Sequence, residues 1–327
     1  MINKVTAWIK KNMVLIVLVA ICIFFGSMSK TFLTSRNLIN ITSQMSINAL
    51  LATGLTFVII TGGIDIGVGA VAAFAGIFAA KIGLQILDAN IFVTLLVQIG
   101  CGILIGGLCG LFNGIMITKL NVVPMIATLA MLTMARGAAY VVTSGRPVYG
   151  LSNNFEWLGA YRMLETEAEP LGIIPHITIF TIIVVVLMHL LLTKTVFGRH
   201  VYAVGSNENV AHLSGINVQT VKLRAYVLSS IMAALGGVCV ASKLNNGQPA
   251  SCDGYEMYAI ASCVLGGTSL MGGAGSILRA MMGVAIIAII NNGMNLIQVS
   301  SYWQKIITGA IILLAVILDM TQKREKK

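Results

Sequence analysis

Few residues in this sequence have the chemistry to act on a solute, and most of those that do lie inside apolar runs. Asp65 stands in TGGIDIGVG (61–69), the one acidic residue deep in hydrophobic sequence, with glycines around it. An ionised carboxylate in hydrocarbon costs about 2.5–3.5 kcal/mol on insertion scales, so it must meet a partner, a helix N-terminus or water. Two readings stay open. One is a broken helix lining a pathway, its glycines letting backbones approach and exposing peptide groups inward. The other is a carboxylate that caps or braces a helix end near the membrane surface. Arg136, inside the run 123–143, is the matching cation; bracing, gating and snorkelling to one surface all fit it. Asn113, Asn291, Asn292 and Asn295 sit within or at the ends of apolar runs, with Gln298 nearby. An amide offers a donor and an acceptor, which suits a neutral polyol at less cost than a charge. The same groups also join helix to helix, for about 0.6 kcal/mol on average in membranes.

Other chemistry is not supported. His176, His189, His200 and His212 are dispersed, and the six cysteines form no CxxC pair, so no metal site is expected. HExxH and GxSxG do not occur, and no catalytic residue is expected. No GxxxxGK[ST] loop occurs either, so this chain has no phosphate cradle of that kind.

The elements that must position these residues are membrane helices. The chain has 327 residues, 57% hydrophobic and 10% charged, against roughly 25% charged in soluble domains. Its formal net charge is +10, but the basic residues lie between apolar runs rather than on one face. Nucleic acid is therefore not the expected partner; the lipid bilayer is. Apolar runs fall at about 13–29, 41–61, 64–80, 91–117, 123–143, 175–193, 222–242, 257–267, 276–298 and 303–320. At about 20 residues per span, that predicts an all-α, polytopic fold of about ten transmembrane helices. The run 257–267 is too short to cross alone; it extends back into 250–256 or is a half-helix. Lys4, Lys10 and Lys11 precede the first run, but no small-x-small cleavage site follows, so the run reads as a helix rather than a signal peptide. Placing both termini in the cytoplasm puts thirteen basic residues in inner segments and seven in outer ones, as the positive-inside rule requires. The whole chain, 1–327, then forms one transmembrane domain. It has an inner N-terminus (1–12), an outer loop (144–175), an inner segment (194–221) and an inner tail (321–327). TGGIDIGVGA (61–70) faintly echoes LGGTSLMGGAG (265–275), and FNGIMITKLNVVP (112–124) echoes NNGMNLIQVSSYW (291–303); internal repeats of this kind place transporter pathways at their interface.

The inner segment is too polar to span and too structured in composition for a tether. Asn207 can cap a short helix running from Glu208 to Leu213, with the acidic Glu208 well placed in its first turn. Gly215 can supply the left-handed stop. Val210 and Leu213 give that helix an apolar edge, for docking into a groove or for lying on lipid.

The string GRHVYAVGSNENVAHLSGINV (198–218) resembles the cytoplasmic coupling segment of ribose-type ABC sugar permeases, through Gly198, Arg199, Tyr202, Gly205, Asn207, Ala211, Ser214, Gly215, Ile216 and Val218. TGGIDIGVG (61–69), PMIATLAML (124–132), VLGGTSLMGGAGSI (264–277) and NNGMNLIQVSSYWQKIITGAIILLAV (291–316) agree in order, so the resemblance covers about 37–320. Gly67 departs from the serine common there, and Ile66 from the leucine. The resemblance implies a membrane subunit that is no enzyme. It implies a second permease copy or paralogue, and a cytoplasmic ATPase subunit that supplies ATP and magnesium, since no cofactor belongs to this chain. It also implies an extracytoplasmic binding protein that delivers a monosaccharide, ribose first and galactose or xylose next. Gly198, Arg199, Gly205, Asn207, Glu208, Leu213, Ser214, Gly215 and Ile216 would couple to the ATPase. Asp65, Asn113, Asn291, Asn292 and Asn295 are the pathway candidates. An ion-coupled secondary transporter, the rival reading, needs several intramembrane ionisable groups; only Asp65 and Arg136 stand out.

Overall fold

The computed structural model describes residues 2–164 and 172–324. Glu165, Glu167 and Glu169 of the expected outer loop, and the last three residues of the expected tail, lie outside the described residues. The fold is helical: α1 (Ile2–Met28), α2 (Ser35–Ile60), α3 (Val68–Gly83), α4 (Ile91–Thr118), α5 (Pro124–Thr143), α6 (Asn153–Glu156), α7 (His176–Lys194), α8 (Val196–Ser206), α9 (Glu208–Leu213), α10 (Val218–Leu244), α11 (Tyr255–Leu265), α12 (Ile277–Leu296) and α13 (Ser301–Arg324). A two-residue hairpin, β1 (Arg162–Met163) against β2 (Ile174–Pro175), closes the long loop. Each expected apolar run lies on a helix, and α1 extends back over the expected N-terminal tail. Among the described residues, α2, α4, α5, α7, α10 and α12 are long and apolar enough to cross a membrane, while α3, α11 and the apolar part of α1 are shorter.

Apolar residues all round a helix mean burial or lipid, and the helices divide accordingly. α2 and α10 are buried on nearly every side. α4, α5 and α7 turn Phe92, Leu104, Leu108, Leu129, Val141, Ile182 and Leu187 outward. α3, α4 and α5 pack on one flank of the α2–α10 centre, and α11, α12, α1 and α13 on the other.

The most extensive packing is between α4 and α10, and it rests on absent side chains. Gly102, Gly106, Gly110 and Gly114 recur every four residues and make a ridge without Cβ atoms. A Cβ on Gly106 would lie 2.5 Å from the Ile231 Cα, and one on Gly110 2.6 Å from the Val227 Cα. Ascending numbers on α4 meet descending numbers on α10, so the two helices run antiparallel.

Two stretches interrupt the helical pattern within this body. Residues 61–67 separate α2 from α3; the sequence pattern starts the third helix at 64, but the structure starts it at Val68. Residues 245–254 separate α10 from the half-helix α11. Gly247 packs on Ile77 and Ala80 near the end of α3, while Cys252 and Glu256 meet Gly69 in its first turn. The second stretch therefore runs back along most of α3, and the N-termini of α3 and α11 face each other inside the protein. The two half-helices leave that point in opposite directions. Of the two stretches that echo each other in sequence, 61–70 leads into α3 and 265–275 follows α11.

Gly110→Val should push α4 off α10 and lower stability by about 1–3 kcal/mol, as overpacking does. Gly107→Val, three positions earlier where a Cβ meets nothing within 4 Å, should leave stability near wild type. Thermal unfolding of the two purified variants in detergent checks the contrast.

Candidate functional site

The interrupted stretches carry backbone groups that no helix satisfies, and ionisable side chains bond to them. Asp65 Oδ1 accepts from the Gly67 N–H at 3.0 Å and Oδ2 from the Ser229 hydroxyl at 3.0 Å. The carboxylate thus closes the turn before α3 and ties it to α10. Arg136 donates from Nη1 to the Pro249 and Ser251 carbonyls at 2.6 and 2.7 Å. That geometry is the bracing one of the readings open to it. The sequence pattern missed a third intramembrane charge. Glu256 is buried in the first turn of α11, its carboxylate against Gly69; it escapes a scan for long apolar runs because its own run is short.

A cavity of about 370 Å³ opens on the far side of the molecule from α9, within the range of roughly 300–1,000 Å³ usual for small-molecule sites. α2 contributes Gln44 and Asn48, α10 Lys243, α11 Tyr255 and Tyr258, α12 Asn291 and Asn295, and α13 Gln304. The Asn48 Oδ1 is buried without a hydrogen-bond partner. Gln304 donates to the Asn295 carbonyl oxygen at 2.8 Å. The two tyrosine rings pack 5.9 Å apart at the start of the half-helix. Amides and phenols with an aromatic floor bind hydroxyl groups and sugar faces without requiring a charge.

Of the pathway candidates, Asn291 and Asn295 line this cavity. Asn292 does not: it exchanges two 2.9 Å hydrogen bonds with Asn37 and clasps α12 to α2. Asn113 is fully buried in α4, and neither of its amide atoms has a protein partner. Asp65 lies away from the cavity lining. Gln44, Asn48, Lys243, Tyr255, Tyr258 and Gln304 were not singled out in the sequence. They are scattered over four helices, and only the packing brings them together.

On the opposite face, α9 forms as its capping signals predict. Asn207 Oδ1 accepts from the Val210 N–H at 3.0 Å, and Gly215 takes φ +81°. Glu208 pairs with Lys222 of α10, and the Ser214 hydroxyl bonds the Val210 carbonyl. Ile216 packs on the central core. Val210 and Leu213 are 57% and 85% exposed. Gly198 and Arg199 fall on an additional helix, α8, whose Thr195 cap accepts from the Gly198 N–H; Arg199 points to solvent. α8 buries Val201 and Val204 and stacks Phe197 on Phe57 of α2. Gly205 sits directly on the Ile60 carbonyl and the Gly273 N–H, leaving no room for a side chain. The Gly273 N–H also donates to Ile60 at 2.9 Å. The Tyr202 hydroxyl donates to the Gly275 carbonyl at 2.9 Å. Burial raises that phenol above its ordinary pKa, with Arg279 partly opposing, so it remains a donor at neutral pH.

The family described as the branched-chain amino acid transport system permease component matches residues 37–316. The ribose import permease protein of Escherichia coli is 39% identical over 317 residues, which is 96% of this chain and 94% of that protein. Its counterpart in Bacillus subtilis is 41% identical over 298 residues, 91% of this chain and 88% of that protein. The D-allose transport system permease protein of Escherichia coli is 38% identical over 304 residues, 93% and 89% of the two chains. No solved structure matches.

Neighbouring amides on α12 should behave differently. Asn292→Leu should lower stability by about 1–3 kcal/mol, because it strands the buried Asn37 amide. Asn291→Leu should keep stability and reduce solute transport. Thermal unfolding beside an uptake assay separates the two.

Proposed function

The chain belongs to this family of permease components, and on that premise we propose that it is the membrane-spanning subunit of an ATP-driven importer for a monosaccharide. The single observation that carries the coupling is the unbroken chain of contacts from an exposed apolar helix to the walls of a polar cavity. α9 offers Val210 and Leu213 to a groove on a cytoplasmic ATPase subunit, which holds the ATP and magnesium. α8 transmits the movement, because Gly205 and Tyr202 fasten it to the end of α2 and to the connection 266–276. That connection leads into α11 at one end and α12 at the other, and both line the cavity. A displacement of α9 would reach Tyr255, Tyr258 and Asn291 through α8 and this glycine-rich connection.

The cavity opens toward the outside of the cell, where a binding protein would deliver sugar. This orientation puts α9 and both termini in the cytoplasm and the protein in the bacterial inner membrane, with the larger basic count inside. A second copy or a paralogue would complete the pathway. Two relatives are named for ribose import and a third for D-allose, and the amides and phenols of the cavity suit such polyols. Ribose is the first choice. The bulk of selection would rest with the binding protein. An ion-coupled mechanism finds less support, because Asp65 and Arg136 already bond to backbone and Ser229, and Glu256 to backbone at the start of α11.

Leu213→Asp with Val210→Asp should leave membrane insertion intact and reduce copurification with the ATPase subunit. ATP-dependent uptake into proteoliposomes should then fall at least tenfold. Full uptake by this variant overturns the coupling role of α9. Absence of sugar-stimulated ATP hydrolysis in the wild-type complex, over ribose, allose, galactose and xylose with their binding proteins, overturns the importer assignment.

A further inference from the structure

The polar lining of the cavity contains one charged residue. Lys243, half-buried in the last turn of α10, faces a wall otherwise made of amides, phenols and apolar side chains. A second cation stands beside it. The Gly159 backbone lies against Lys243, and the Gly159 N–H donates to Ser242 at 2.8 Å, so the chain is pinned there three residues before Arg162. Arg162 reaches across to Asn40 Oδ1 at 3.4 Å. Asn40 lies one turn from Gln44 and two from Asn48 on α2, so Arg162 sits over the same face that lines the cavity. Lys243 is within electrostatic reach of Arg162.

Among the described residues, no carboxylate forms an ion pair with Lys243 or Arg162. Asp253 faces Lys305 at 3.7 Å. Glu256 turns away toward Gly69. Glu156 accepts from the Asn245 amide. Two cations on a partly desolvated mouth therefore act on any charged solute that enters, and charge rings at constrictions select by sign.

We propose that Arg162 and Lys243 make the cavity mouth an electropositive filter that admits neutral and anionic polyols and rejects solutes carrying positive charge. The rejected class includes sugars with a protonated amine, which match the hydroxyl pattern of the neutral ones, and inorganic cations. The proposal rests on the cavity being the solute pathway for its purpose, but its test does not depend on transport.

Asn291→Cys, in a chain whose six native cysteines are replaced and which is reconstituted with its complex, places a thiol on the cavity wall. Its modification rates with an anionic and a cationic methanethiosulfonate reagent are each divided by the rate of the same reagent with a free thiol. The expected anionic-to-cationic ratio is about tenfold above one, falling toward one as salt rises from 0.01 to 1 M because the Debye length shrinks from about 30 to 3 Å. Lys243→Gln with Arg162→Gln should bring the ratio close to one at low salt, and Lys243→Arg should retain it. A ratio of one in the parent, or a ratio that survives both neutral substitutions, overturns the filter. The salt series on the parent decides the matter even if the double substitution fails to fold. Since no sugar or ATP enters the measurement, its failure leaves the importer assignment standing, and failure of uptake leaves the filter standing.

Discussion

Backbone groups in hydrocarbon must find partners within the protein, and the two stretches that leave the helical pattern, 61–67 and 245–254, are where this constraint is hardest to meet. Each is held by an ionisable side chain. Asp65 closes the first with the Gly67 N–H, and the Tyr226 hydroxyl adds a long contact to the Ile64 carbonyl. Arg136 takes two carbonyls of the second, and its far end is fixed by the paired bonds between Val148 and Gly247. The intramembrane charges thus make the irregular backbone possible, and the irregular backbone allows α11 to begin in the middle of the protein. Tyr255 and Tyr258 line the cavity because their helix starts there.

The same economy explains the glycines. An interrupted helix loses length, and its neighbours must approach closely to recover contact. The ridge on α4 lets α10 come near enough to place Ser229 on Asp65 and Lys243 at the cavity. At Gly205 the requirement is different, since there a helix end meets a carbonyl and a peptide N–H rather than another helix. A methyl group at that position would separate α8 from α2 and from the 266–276 connection together.

How much of this was legible in the sequence depends on the range of the interactions concerned. α9 was readable to the residue, because Asn207, Glu208 and Gly215 act within one or two turns of themselves. The apolar runs gave the helices for the same reason. α8 was not anticipated: its apolar residues recur with a helical period, but the face they make is stabilised by Val201, Val204 and Phe197 packing on distant α2. Asn291 and Asn292 show the limit most clearly. One residue apart on a helix means about 100° of rotation, enough to send one amide into a cavity and the other into a clasp with Asn37. No local signal distinguishes them, because the run is apolar on every side and offers no hydrophobic stripe to orient the face. The glycine ridge was legible in principle, since a period of four in CGILIGGLCGLFNG needs no structure to detect.

Neutral amides and a pair of cations at one mouth are complementary features of a single design problem. A pathway for polyols must present hydrogen-bonding groups, and any such polar opening in a membrane also attracts small ions. Amides alone would bind a hydroxyl and a hydrated cation by the same carbonyl oxygens. Fixed positive charge separates the two at little cost to the sugar, whose hydroxyls accept hydrogen bonds from an ammonium or guanidinium as readily as from an amide. The position of that charge matters as much as its sign. Placed deep in hydrocarbon, Lys243 would require a counter-ion that cancels its effect; placed in the last turn of α10, its flexible stem keeps the ammonium near water.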